Sequence, residues 1–165
     1  MATKRELKIG DVDLQDDAAK LTLRVSLQNQ SGRTLHAYAT PRALRYDPAT
    51  KTLEVQLSDR GLQQTRLGSI FLHPKFIAVD PNSAVTLELP LPRVIARIKP
   101  GQEEIAPVVE ELPAYEANRI DLEIAYSGTP FYPDPRPGTK SPRQVLIDWA
   151  EGVAKYSGRP TEVKH

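Results

Sequence analysis

The sequence predicts an all-β fold: two packed antiparallel sheets of about seven or eight strands in total, with one amphipathic helix near the C-terminus. Three observations point there. Aliphatic residues recur at every second position in several separate segments, which is the period of a strand with one dry and one wet face. Proline is more frequent than glycine (15 against 9), so rigid turns and strand boundaries are common. Turn signals such as Asp47-Pro48 and Pro81-Asn82-Ser83 stand directly before alternating runs.

The organising stretch is Lys20 to Gln28, where Leu21, Leu23, Val25 and Leu27 alternate with Thr22, Arg24, Ser26 and Gln28. It reads as a central strand, and Asn29-Gln30-Ser31-Gly32 is expected to supply a hairpin turn that pairs the chain back on it. Before it, Leu7 and Ile9 share one parity while Val12 and Leu14 share the other, with Gly10-Asp11 between them. Such a switch predicts a β-bulge or a strand changing sheets. After Gly32, Leu35, Ala37 and Ala39 alternate with His36, Tyr38 and Thr40 until Pro41 interrupts, and a strand resumes over Ala43 to Tyr46. Asp47-Pro48-Ala49-Thr50 fits a type I turn leading into Leu53, Val55 and Leu57, the clearest hairpin in the chain.

The stretch from Asp59 to Gly68 is polar and aperiodic and reads as a surface connection. Strands are expected over Ser69 to Asp80, broken at His73-Pro74, and over Ala84 to Leu89. Arg93 to Lys99, if extended, carries Arg93, Arg97 and Lys99 on one side, a short basic stripe expected to form surface ion pairs with the acidic residues that follow. Gly101 to Glu116 is proline-punctuated and acidic and reads as an ordered loop, and Arg119 to Ser127 as a further strand.

Gly128 to Pro142 contains five prolines around Phe131, Tyr132, Asp134 and Arg136, so a polyproline-like backbone with aromatic anchors is expected. Ser141-Pro142-Arg143-Gln144 then resembles a capping box. Val145, Leu146, Trp149, Val153 and Tyr156 fall on one helical face, Glu151 and Lys155 form an i,i+4 pair, and Gly158 with Pro160 marks the end. Gly152 inside this helix is expected to cost about 1 kcal/mol relative to Ala. The chain therefore divides into a β body (1–127), a proline-rich segment (128–141), and a helix and tail (142–165) on the same domain.

At 165 residues the chain suits one domain, burying roughly 70% of the surface that its unfolded form exposes. The net charge of +1 provides no field for nucleic acid or anionic membrane. With no cysteine, disulfides, thiolate zinc sites, iron–sulfur clusters and cysteine nucleophiles are excluded. No apolar run of spanning length and no leader pattern is present, so a cytoplasmic protein is the expectation.

The runs LTLRVSLQNQSGRTL and DPNSAVTLELP, each a strand joined to a turn, resemble the immunoglobulin-like β-sandwich domains found as bacterial accessory modules. The resemblance covers Leu7 to Tyr126 and lacks the Cys and Trp core signature, since Trp149 lies in the terminal helix. It implies a domain that binds other proteins or acts as a spacer.

Motifs that carry chemistry are sparse. His36, His73 and His165 have no metal-binding spacing, and a zinc centre would require His36 and His73 to meet a carboxylate in the fold. Asp11, Asp13, Asp16 and Asp17 cluster in a turn without the offsets of a calcium loop. Gly138-Thr139-Lys140-Ser141 lacks the glycines of a phosphate loop, and there is no Gly-x-Ser-x-Gly. No cofactor or metal is implied. The residues that fit a binding role are Phe131, Tyr132, Arg136 and Trp149, because aromatic and arginine side chains on stiff backbone dock at small entropic cost. The competing reading is that Trp149, Val145 and Val153 close an open side of the β body. The expected function is a non-enzymatic module for binding another protein or for self-association. The alternative is a small-ligand, carbohydrate or calcium binder using end loops.

Overall fold

In the computed structural model, which describes residues 6–59, 74–98, 108–131, 142–160 and 162–164, β2 (Leu21–Asn29) lies between β1 (Leu7–Asp16) and β7 (Ala84–Leu91), antiparallel to both. Leu21, Leu23, Val25 and Leu27 are fully buried, as the alternation demands. The parity switch in β1 is a real irregularity, with pairing slipping between Ile9 and Val12 so that Leu7, Ile9, Val12 and Leu14 all reach the core.

The second sheet contains β3 (Leu35–Tyr38), β4 (Ala43–Asp47), β5 (Thr52–Leu57), β6 (Phe76–Val79), β10 (Arg119–Ser127) and β11 (Gly152–Gly158). Its axis is β10. One edge of β10 pairs with β11 over Ile120 to Tyr126; the other pairs first with β5, in parallel, and then with β3. A separate ribbon of β8 (Val94–Ile98) and β9 (Val109–Pro113) precedes a short 3-10 turn at Ala114–Glu116. The tail strand β12 (Glu162–Lys164) pairs in parallel with β1. Both large sheets contribute to one core, in which Leu23, Val55, Leu87 and Leu122 meet. The molecule is thus predominantly β with one small helix, α1 (Pro142–Trp149). Among the described residues no helix is long and apolar enough to cross a membrane.

Five expectations require correction. Twelve strands are present among the described residues rather than seven or eight, and two of the pairings are parallel. The Asn29–Gly32 stretch does not fold β3 back on β2; none of its residues takes a positive φ, which a primed hairpin turn needs. Instead the buried Asn29 amide donates to the carbonyls of Arg33 (2.7 Å) and Val79 (2.9 Å), and its oxygen accepts from the Ser31 amide (2.9 Å). These bonds hold the corner where the chain crosses to the other sheet.

The expected 101–116 loop contains β9, whose consecutive glutamates hid the alternation that buries Leu112 while exposing Val109 and Glu111. The C-terminal helix stops at Trp149, and Val153 and Tyr156 lie on β11. The cause is long-range. The Glu151 amide donates to the Tyr126 carbonyl at 2.9 Å, and the chain then zips along β10. Gly152 sits against Tyr126, where a Cβ would come within 2.6 Å of the hydroxyl. Finally, Glu151 does not pair with Lys155; it binds Arg33, while Lys155 approaches Glu123 at 3.9 Å.

Other expectations agree with the structure. The Asp47 carboxylate accepts from the Ala49 amide (2.9 Å) in the β4–β5 turn, with Lys51 in the left-handed region, and Asn82 takes a positive φ before β7. Arg97 of the basic stripe pairs with Glu110 at 2.6 Å. Arg93 turns instead to Asp16 (2.7 Å) and lies 4.3 Å over the Tyr115 ring, and Lys99 falls outside the described residues.

Candidate functional site

The corner formed by α1, the end of β3 and the start of β11 gathers the largest aromatic cluster among the described residues. Register places Tyr38 of β3 opposite Phe76 of β6, and their rings meet edge-on at 5.1 Å. Phe131, just beyond β10, approaches Phe76 at 5.5 Å, and Trp149 at the end of α1 packs on Phe76 (4.9 Å), Tyr38 (5.8 Å) and Phe131 (6.0 Å). The indole N–H donates to the Thr129 carbonyl at 2.7 Å, which fixes the ring relative to the residues after β10. Leu146, one turn before Trp149, is fully buried and anchors the helix. Tyr38 is buried, whereas Phe76, Phe131 and Trp149 remain partly exposed.

Behind the rings lies a polar group. The Tyr38 hydroxyl donates to Asp59 Oδ2 at 2.8 Å, and Arg42 donates to Asp59 Oδ1 from Nε (3.3 Å) and Nη2 (3.1 Å). Asp59 is 2% exposed, so its charge is tolerated only because both oxygens are bonded and a guanidinium faces it. Burial, followed by the bond to Asp59, pushes the Tyr38 phenol well above its ordinary range and keeps it a neutral donor. Beside this trio opens a cleft of about 470 Å³ lined by Tyr38, Asp59, Leu146, Ile147, Val153 and Lys155, among others. At its rim the Ser58 hydroxyl donates to Glu123 at 2.7 Å.

A second polar cluster fastens the corner to the rest of the molecule. Arg33 donates to both Glu6 oxygens (2.9 Å each) and to Glu151 Oε2 (2.8 Å), while Glu151 Oε1 accepts from the Ser127 hydroxyl (2.8 Å) and the Gly128 amide (3.0 Å). These bonds, that of Arg33 foremost, hold the Glu151 carboxyl below its ordinary value.

Of the four residues singled out from sequence, Phe131 and Trp149 are brought together here; Tyr132 and Arg136 lie outside the described residues. His36 is on β3, and His73 and His165 lie outside the described residues. In the aspartate-rich turn, Asp16 binds Arg93, and Asp17 accepts from the amides of Lys20 (2.7 Å) and Ala19 (2.9 Å). Among the described residues no three His, Asp or Glu side chains are placed to hold a metal ion. Tyr38, Arg42, Asp59 and Phe76 were not singled out. The one signal for Tyr38 was its aromatic character at a position whose parity reads as solvent-facing. The chain matches no family model, no curated protein and no solved structure.

Proposed function

We propose that the chain is an immunoglobulin-like β-sandwich whose role is to bind another protein without catalysis, and that it does so through the α1 corner. The observation that carries this reading is the partly exposed aromatic trio of Phe76, Phe131 and Trp149 on a buried Tyr38 floor. Aromatic side chains held rigid by packing lose little freedom on docking, and they are enriched at the centres of protein interfaces. Around them the charged groups already have intramolecular partners, so the corner offers apolar contact area more than reactive groups.

The test is affinity capture from the native source with the wild-type chain and Phe131→Ala, both checked for an unchanged circular dichroism spectrum. A specific protein retained by the first and lost with the second is the expected result; equal retention by both would refute the corner as the interface. A second reading, a small-ligand site, draws on the neighbouring cleft of about 470 Å³. Native mass spectrometry distinguishes the two, since a co-purifying mass of a few hundred daltons would favour the cleft.

A further inference from the structure

The β8–β9 ribbon has two faces of opposite character. Register pairs Ile95 with Leu112 and Arg97 with Glu110 on the side turned to the body, where Leu112 is buried. On the other side Val94 stands opposite Pro113 and Ala96 opposite Glu111, with Val109 two residues before Glu111. The three large hydrophobic residues exposed among the described residues are all here: Val94 (40%), Val108 (46%) and Val109 (66%). Glu111 lies exposed among them, and no ion pair engages it among the described residues. Among the described strands, none but β8 pairs with β9. The edge of β9 turned away from β8 can continue its ladder to a third strand, whose side chains would flank Val109 and Glu111 on the exposed face.

From this we infer that β9 accepts an extended basic segment of a partner protein, added as a third strand with a lysine or arginine opposite Glu111 and apolar side chains at the alternate positions beside Val109 and Pro113. Charge complementarity selects this occupant. An extended segment that adds to a free edge presents every second side chain to one face, so the exposed carboxylate between apolar neighbours calls for a cation between apolar residues. A second copy of this chain is disfavoured, because a two-fold pairing of β9 centred on Glu111 would set two carboxylates face to face. This surface is independent of the α1 corner, so failure at either leaves the other reading standing.

The probe is a synthetic peptide carrying Val, Lys and Val at alternate positions separated by Thr, with a control in which Glu replaces Lys. Fluorescence polarisation with the full chain should show the lysine peptide binding roughly three- to tenfold tighter than the control. Glu111→Lys should reverse that preference, and Val109→Ser should weaken both peptides about tenfold. Hydrogen exchange should slow at the β9 amides in the complex. Failure to bind at millimolar peptide, a preference unmoved by Glu111→Lys, or protection confined to other strands would each overturn the inference. So would light scattering that shows a dimer dispersed by Val109→Ser, since the occupant would then be a second copy.

Discussion

The β1–β2–β7 layer and the α1 corner hold themselves together by different means. In the first, aliphatic side chains of β2 alternate into a dry interior and every partner strand lies antiparallel to it. In the second, four aromatic rings, a buried carboxylate with its guanidinium, and a glycine under a tyrosine converge from β3, β6, β10, α1 and β11. Burial of aliphatic area is non-directional and follows the local period, whereas the corner depends on hydrogen bonds and close approaches that must be satisfied together. The layer should tolerate volume-conserving swaps, and the corner should not.

The largest effect expected is on the aliphatic side. Leu23→Ala removes a fully buried side chain from the middle of β2 and should destabilise by about 3 kcal/mol, seen as a lower urea midpoint with an unchanged slope. Leu23→Met should recover most of that loss. At the corner, Asp59→Ala leaves the Arg42 guanidinium, 13% exposed, and the Tyr38 hydroxyl without their shared acceptor. A loss of about 3 kcal/mol is expected, nearly equal to the first although less apolar volume is removed. Asp59→Asn keeps the shape but turns one acceptor oxygen into a donor, so its loss combines the charge with one forfeited hydrogen bond. If Asp59→Ala cost no more than an ordinary surface change, the two regions would not differ in the way described.

Gly152→Ala separates two readings of the same residues by sign. In a helix running on to Gly158 the substitution would stabilise by about 1 kcal/mol. In β11 the new methyl meets the Tyr126 ring and hydroxyl at 2.6–2.7 Å, so the melting temperature should fall instead.

That reversal also explains how much could be read from the chain. The β1 bulge, the central β2 strand, the Asp47-Pro48 hairpin and the turn before β7 rest on neighbours in sequence, and local period with turn chemistry reveals them. The end of α1 is set by the edge of β10, whose Tyr126 carbonyl takes the Glu151 amide from 25 residues away. Val145, Leu146, Trp149, Val153 and Tyr156 satisfy a helical period equally well on paper, and Val153-Ala154-Lys155-Tyr156 satisfies a strand period too. Phe131 and Trp149 were legible as aromatic anchors, but their meeting with Tyr38 and Phe76 was not. Tyr38 sits on the parity that reads as wet, and it is buried only because α1 and the residues after β10 lie over that face.

The smallest effect concerns acid. Glu151 has its carboxyl pKa lowered in the folded state, first by Arg33 and then by the Ser127 hydroxyl, from an ordinary value of 4.5. A group depressed on folding contributes stability that is fully present above its unfolded value and fades as pH falls through the folded one. The Arg33–Glu6–Glu151 cluster should therefore weaken only below about pH 4.5, with neutral pH unaffected. Both partners are more than two-fifths exposed at the side chain, so solvent screens most of the interaction and the effect is modest. Glu151→Gln should flatten the acid limb of a melting-temperature profile while keeping the bonds from Ser127 and Gly128, and 1 M salt should flatten the wild-type limb in the same direction. A steeper acid limb in the variant would mean that Glu151 is not the carboxylate whose protonation loosens the corner from β1.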